Sequence, residues 1–346
     1  MIFDASLNTP EIDSFDQLSW RKERQVLYSR VQTLCKSNNI LFTHQVTSNL
    51  VKNSKQSVIV FMWLFDLIHD YNFWKDINQT CQQHGKILMV VTDNILNFDK
   101  LSCVKFFSYP KLLGVTASYN DNLIVNTPTK LYNCFIQRVD SVRQSWFYFL
   151  YQNNLLNQGY VSLLMKQLNN YSNLTGVELF DYIHSHYQLN ALPHFEQAYQ
   201  NTRSQIPFRN FEEINNLLPY ILDSKYSVVL ETYAMHDDQN QWCFTEKSLR
   251  AIQFPTIPLL FTQRGGIAVL KSLGLKINNA TDRLDHLTWQ ERQQQLLKIL
   301  VDDSVDFDVE LLYNQSQYNR HLLQTWKTEY SRPDFFDDFF NEAISL

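Results

Sequence analysis

The chain has 346 residues, with 45% hydrophobic and 19% charged positions, which suggests about two domains and excludes a disordered polypeptide. Its formal net charge of −5 disfavours broad electrostatic binding to nucleic acid, which needs a basic face; Lys52, Lys55, Lys105 and Lys111 are the only hints of a local basic groove. There are only 7 glycines, about 2% against a usual ~7%, and no G-x-G-x-x-G or G-x-x-x-x-G-K-[ST] run, so the dinucleotide fingerprint and the P-loop are excluded and any phosphate must be held by side chains and helix ends.

The N-terminal MIFDASLNTPEID has no basic-then-apolar signal pattern, and residues 1–20 read as an irregular lead-in. Arg21 to Cys35 has helical spacing through Val26, Leu27, Val31 and Leu34. A short strand is expected over Asn39 to Thr43 and a strong one over Ser57 to Phe65. Phe73 to His84 reads as an amphipathic helix ending at Gly85. Lys86 to Thr92 is the next strand, with Asp93 and Asn94 at its carboxyl end, and Val104 to Phe107 follows as another.

Such alternation implies a parallel sheet flanked by helices. Thr127-Pro128-Thr129 breaks it and marks a domain boundary. A new strand is expected over Leu131 to Ile136 and a helix over Arg143 to Asn153, while Gln167 to Pro219 is polar and reads as helices and loops. Further helices are expected over Trp289 to Val301 and Gln315 to Tyr330, before an acidic aromatic tail.

The five cysteines are odd in number, and none are at C-x-x-C spacing. They read as buried free thiols in a reducing compartment. No apolar run reaches the roughly 18 residues of a spanning helix, so a soluble, cytoplasmic protein without membrane insertion is expected. Across the chain we expect an α/β fold of two Rossmann-like domains facing a cleft. The boundaries are 1–128 for the first, 129–315 for the second, and 316–346 for a C-terminal helix and tail that packs back on the first.

The densest chemistry lies between Tyr226 and Leu275. The β-branched run Tyr226 to Leu230 is a buried strand, and Glu231 falls at its carboxyl end, where open α/β sheets bind ligands. Thr245 precedes Glu246, Lys247 and Arg250 as an N-cap hydroxyl opening a helix. Two cations beside a helix start suit a diphosphate, with a carboxylate next to it. An E-K pair opening a helix is also an ordinary solvated first turn, so the assignment rests on the whole constellation, including the Gly265-Gly266 turn. His236-Asp237-Asp238 resembles a metal cluster on paper, but adjacent residues do not readily face one ion, and a solvated loop is the expectation.

Four segments together carry a family likeness. They are LYNCFIQRVDSVRQSWFYFLYQNNLLNQGYVS at 131–162, the ETY and FTEKSLR pair at 231–233 and 244–250, PLLFTQRGGIAVLKSLGLK at 258–276, and WKDI…HGKILMVVTDN at 74–94. With them the chain resembles glycosyltransferase-like proteins of bacteriophages and marine microbes, distantly similar to fucosyltransferases that share a helix-opening T-E-K. The resemblance spans roughly residues 57–325. It implies the glycosyltransferase B architecture, a nucleotide-sugar donor bound mainly by the second domain, and no metal or other cofactor. On this resemblance Glu246 holds the donor ribose, and Lys247, Arg250, Arg138 and Arg143 serve the diphosphate. Thr232, Thr245, Gly265 and Gly266 complete the donor-binding candidates.

The chain departs from the family pattern in two places. Val139-Asp140-Ser141-Val142 follows Arg138 where the family is richer in Arg and Pro. Gln263-Arg264-Gly265-Gly266 replaces a small-residue turn.

Transfer from such a donor needs cations for the departing diphosphate and a general base for the acceptor hydroxyl. Base candidates are Asp93, which also reads as a turn cap, and Asp66, His69 and Asp70. Glu231 reads either as the base or as a ligand of the donor sugar. The acceptor stays open among a modified DNA base, a glycan and a protein. A catalytically inactive binding protein of the same fold is the rival expectation.

Overall fold

A computed structural model of the chain describes residues 19–63, 71–92, 94–96, 98, 101–108, 127–136, 143, 146, 149–150, 152–163, 214–231, 234, 241–302, 305–330 and 341. These divide into two compact units. The first holds the described residues of Met1–Val115, Asp238–Glu246 and His321–Leu346; the second holds those of Thr116–Asp237 and Lys247–Arg320. Both are α/β, each built on a parallel sheet. No helix among the described residues is long and apolar enough to cross a membrane.

The first unit contains α1 (Ser19–Ser37), β1 (Leu41–Thr43), α2 (Ser48–Asn53), β2 (Val58–Trp63), α3 (Tyr71–Gln83), β3 (Ile87–Thr92), β4 (Ile95–Leu96) and β5 (Val104–Ser108). The sheet order is β1-β2-β3-β5, every pairing parallel. Alternation along the strands feeds two cores. Val60, Met62, Met89 and Val91 pack with Val31 and Cys35 of α1. Ile59, Phe61, Leu88 and Val90 face the other way, onto Val51 of α2 and Trp74, Ile77 and Cys81 of α3. Strands buried on both faces read as continuous apolar runs, which is why VIVFMW and ILMVVT show no polar alternation. Each buried Val, Leu or Ile contributes about 1.5–3 kcal/mol by leaving water.

The second unit contains β6 (Lys130–Ile136), a 3₁₀ turn at Leu156–Gln158, β7 (Gly159–Leu163), α4 (Ile214–Leu222) and β8 (Ser224–Leu230). β9 (Gln241–Trp242) belongs to the first unit, where it pairs antiparallel with β4; the second unit continues with α5 (Glu246–Ala251) from Lys247 on, β10 (Ile257–Phe261), α6 (Gly266–Ser272), α7 (Asn279–Asp285), α8 (Trp289–Asp302) and α9 (Val309–Tyr330) as far as Arg320. The sheet order is β10-β8-β6-β7, again wholly parallel. Tyr132, Cys134, Ile136, Tyr226, Val228, Leu230, Ile257, Leu259 and Phe261 line one face, under Trp146 and the apolar sides of α7 and α8. A polar ladder crosses the opposite face: the Asn133 amide donates to Ser227 Oγ at 3.0 Å, and Ser227 Oγ lies 2.9 Å from Thr256 Oγ1.

Strand pairing at β7 depends on one small residue. Gly159 pairs with Tyr132, and a Cβ there would stand 2.5 Å from the Tyr132 carbonyl and 2.7 Å from its ring. At the amino end of β6, Asp223 accepts hydrogen bonds from Thr129 N (2.9 Å), Thr129 Oγ1 (2.6 Å) and Tyr160 Oη (2.7 Å). These bonds fasten β6, β7 and β8 where the sheet begins.

Candidate functional site

The second sheet has a point where the winding direction reverses. The chain enters at β6, runs outward to β7, then returns to the other side of β6 at β8 and continues outward to β10. In open α/β sheets, ligands bind beyond the carboxyl ends of the strands at such a reversal. Here that place lies between Ile136, the last residue of β6, and Leu230, the last of β8. The first sheet, with its monotonic order, shows no reversal among the described residues.

Glu231 follows β8 directly and is 1% exposed. Its backbone N–H donates to the Phe261 carbonyl at 3.1 Å, continuing the pairing with β10. Its Oε1 accepts the N–H of Ser248 at 3.2 Å. Ser248 is the third residue of α5, so a carboxylate from the strand satisfies one of the amide donors that a helix start leaves open. The far end of α5 is held as well. Asn319 on α9 donates to the carbonyls of Ile252 and Lys276 (2.9 and 2.7 Å) and accepts from Lys276 N (2.7 Å). Lys247 and Arg250, three apart on α5 and hence on neighbouring positions of one face, are both partly exposed.

Arg143 is a helical residue after β6 and is 2% exposed. Cys134 on β6 feels its charge. Burial pushes that thiol up to about 12, while the Arg143 cation opposes the rise. Arg143 therefore stands as a buried cation beside β6. Thr245, 8% exposed, immediately precedes α5. Glu246 opens that helix. Asp93, Arg138, Thr232 and the side chain of Glu246 lie outside the described residues, as do Asp66, His69, Asp70 and the His236-Asp237-Asp238 run.

The glycine turn after β10 is organised from within. Gly265 adopts φ 78°, a left-handed conformation that favours glycine, and caps α6. Asp285, at the end of α7 and 4% exposed, places one carboxylate oxygen 2.8 Å from Ile267 N and the other 2.9 Å from Ala268 N. Its carbonyl accepts Gly265 N at 3.1 Å. The amides that would greet a phosphate at this turn are thus already occupied by a side chain of the same unit.

Behind the turn lies Arg292 of α8, 2% exposed. Its Nε donates to the Leu287 carbonyl at 2.9 Å, Nη2 to Asp285 O at 3.3 Å, and Nη1 to Ala234 O at 3.3 Å and to Thr262 O. One guanidinium so joins the segments that follow β8 and β10. Sequence reasoning missed both Asp285 and Arg292. Arg292 did carry a signal, because it shares the apolar stripe Trp289, Leu296, Ile299 and Leu300 of its helix. A charge on such a stripe must find polar partners inside. Asp285 carried none.

Compared with family models, with curated proteins and with solved structures, the chain shows no significant match in any of the three.

Proposed function

We propose that the chain is a glycosyltransferase that moves a sugar from a nucleotide-sugar donor to an acceptor hydroxyl, with its two units arranged as in the glycosyltransferase B architecture and the donor held by the second. The observation that carries this reading is the winding reversal between β6 and β8, which has a carboxylate fixed at its edge. Lys247 and Arg250 of α5 and the cation of Arg143 beside β6 support the diphosphate assignment. On this reading, Lys247, Arg250 and Arg143, with Arg138, neutralise the departing diphosphate without a divalent metal. Glu246 holds the ribose diol.

Glu231 is given a positioning role. Being 1% exposed and hydrogen-bonded to Ser248 N, it fixes the first turn of α5, which carries Lys247. Gly265 and Gly266 shape the turn whose amides Asp285 satisfies, and Thr232 and Thr245 flank the donor.

The same burial of Glu231 favours a second reading, a nucleotide-binding protein of this fold that does not turn its ligand over. A panel of nucleoside diphosphates and nucleotide sugars tests both. Ligand at 100 times its dissociation constant stabilises the fold by about 2.7 kcal/mol, a readily measured thermal shift. Released nucleoside diphosphate then separates turnover from binding alone. A modified DNA base and a glycan are the acceptors to try first.

A further inference from the structure

Folding of the first unit brings two cysteines together, one from α3 and one from the entry to β5. Asn78 and Gln82 are four apart on α3, and Cys81, in the last turn of that helix, lies on the same side between them. Both neighbours grip the segment that leads into β5. Asn78 Oδ1 accepts the N–H of Cys103 at 2.8 Å, and the Gln82 amide donates to Ser102 Oγ at 2.7 Å. That hydroxyl in turn donates to Cys103 Sγ at 3.7 Å. The backbones converge on one short stretch of chain as well. Lys86 N donates to the Cys81 carbonyl at 2.8 Å, and Leu88 N to the Cys103 carbonyl at 2.9 Å. Cys103 packs against the apolar cluster in which Cys81 is buried.

The two thiols differ in access. Cys81 is fully buried, whereas Cys103 is half-buried and follows the exposed Ser102. Burial pushes the Cys81 thiol up to about 12, and the neighbouring Cys103 adds to the rise. Such a thiol is closed to reagents from solvent, yet it can meet a sulfur already at its side. Cys35 packs in the cluster on the other face of the same sheet, and Cys134 in the core of the second unit. An accessible sulfur beside a shielded one can take an oxidant at the first and resolve it with the second.

We propose that Cys81 and Cys103 are a redox-responsive pair, open as two thiols and closed to a disulfide by a small disulfide oxidant of the glutathione type. In the first step Cys103 loses its proton to solvent and its sulfur attacks one sulfur of the oxidant. The oxidant's S–S bond breaks, and one glutathione leaves as a thiolate that takes up a proton. In the second step Cys81 loses its proton to solvent and attacks Cys103 Sγ of the mixed disulfide, which expels the second glutathione. Two cysteine thiols are oxidised, and one oxidant disulfide is reduced to two thiols. The new bond ties the last turn of α3 to the entry of β5 and closes the loop that carries β3 and β4. The pair lies wholly within the first unit and calls on no nucleotide sugar.

The test incubates the reduced full chain with oxidised glutathione, blocks the remaining thiols under denaturing conditions, and maps the peptides by mass spectrometry. The expected product is a linked Cys81–Cys103 peptide pair, reversed by dithiothreitol, with Cys35 and Cys134 still thiols. Because the second sulfur is intramolecular, the linked form exceeds the Cys103–glutathione adduct by about tenfold or more. Cys81→Ala stops at that adduct, and Cys103→Ser gives neither adduct nor link; circular dichroism checks that both variants are folded. The wild-type map stands without either variant. A stable glutathione adduct on Cys103 with Cys81 left as a thiol, a link from either cysteine to a different partner, or two unmodified thiols overturns the proposal.

Discussion

Replacing Asp285 with alanine removes both acceptors of the α6 start. Two backbone donors, Ile267 N and Ala268 N, then lose carboxylate partners at 2.8 and 2.9 Å. Hydrogen bonds to charged groups contribute roughly 1.5–3 kcal/mol each. Because the two share one side chain and are not strictly additive, the expected loss is about 3–5 kcal/mol. With a urea dependence of about 1–3 kcal/mol per molar, the midpoint of the second unit drops by roughly 1–5 M, followed by tryptophan fluorescence from Trp146 and Trp289, both in that unit's core. Asp285→Asn sharpens the test: it keeps one acceptor but points an amide donor at the second N–H, so its loss is at least half that of alanine. A change below about 1 kcal/mol for Asp285→Ala refutes the reasoning, because it means that the α6 amides find other partners and that the glycine turn is open to a ligand.

Other expectations follow from the same contacts. Arg292→Met leaves the carbonyls of Ala234, Thr262 and Asp285 without that donor and costs about 2–4 kcal/mol, read from urea midpoints. Glu231→Gln keeps an oxygen for Ser248 N and leaves donor affinity within about threefold, whereas Glu231→Ala weakens it about tenfold or more; equal effects in calorimetry would contradict the positioning role. Tyr160 is held up to about 12, first by burial and then by its hydrogen bond to Asp223. The contribution is therefore complete below about pH 10, the ordinary tyrosine value, and is lost as pH rises towards 12; Asp223→Asn flattens this dependence in denaturation curves. Burial also pushes the thiols of Cys35, Cys81 and Cys134 up to about 12, so iodoacetamide at pH 8 labels none of the three in the native protein, as mass spectrometry will read.

Strands β2, β3 and β8 were legible because they are largely buried on both faces, whereas β7, five residues opening on a glycine (GYVSL), was not expected. Runs such as VIVFMW and ILMVVT have no polar alternation to confuse them with surface strands, and the Tyr226–Leu230 part of β8 follows the same rule. The position of Glu231 at the end of β8 was legible for that reason. Less legible was what the carboxylate does, since its partner, Ser248 N, is 17 residues away and made by folding. The short helices α2 and α7 escaped because helices of one to two turns carry too little periodicity. α9 proved longer at its amino end than the polar-aromatic pattern suggested, starting at Val309 rather than Gln315. The winding reversal that locates the site lies in strand order, which local sequence does not encode.

The central claim is that the second unit binds the diphosphate of a nucleotide sugar through α5. Calorimetric titration of nucleoside diphosphates into the wild-type chain and into Lys247→Ala tests it most directly. The account predicts saturable binding by the wild type and, with one charged hydrogen bond removed, an affinity about tenfold or more weaker in the variant, its thermal unfolding otherwise unchanged. Absence of binding across the panel, or equal affinity in the two proteins, would contradict it.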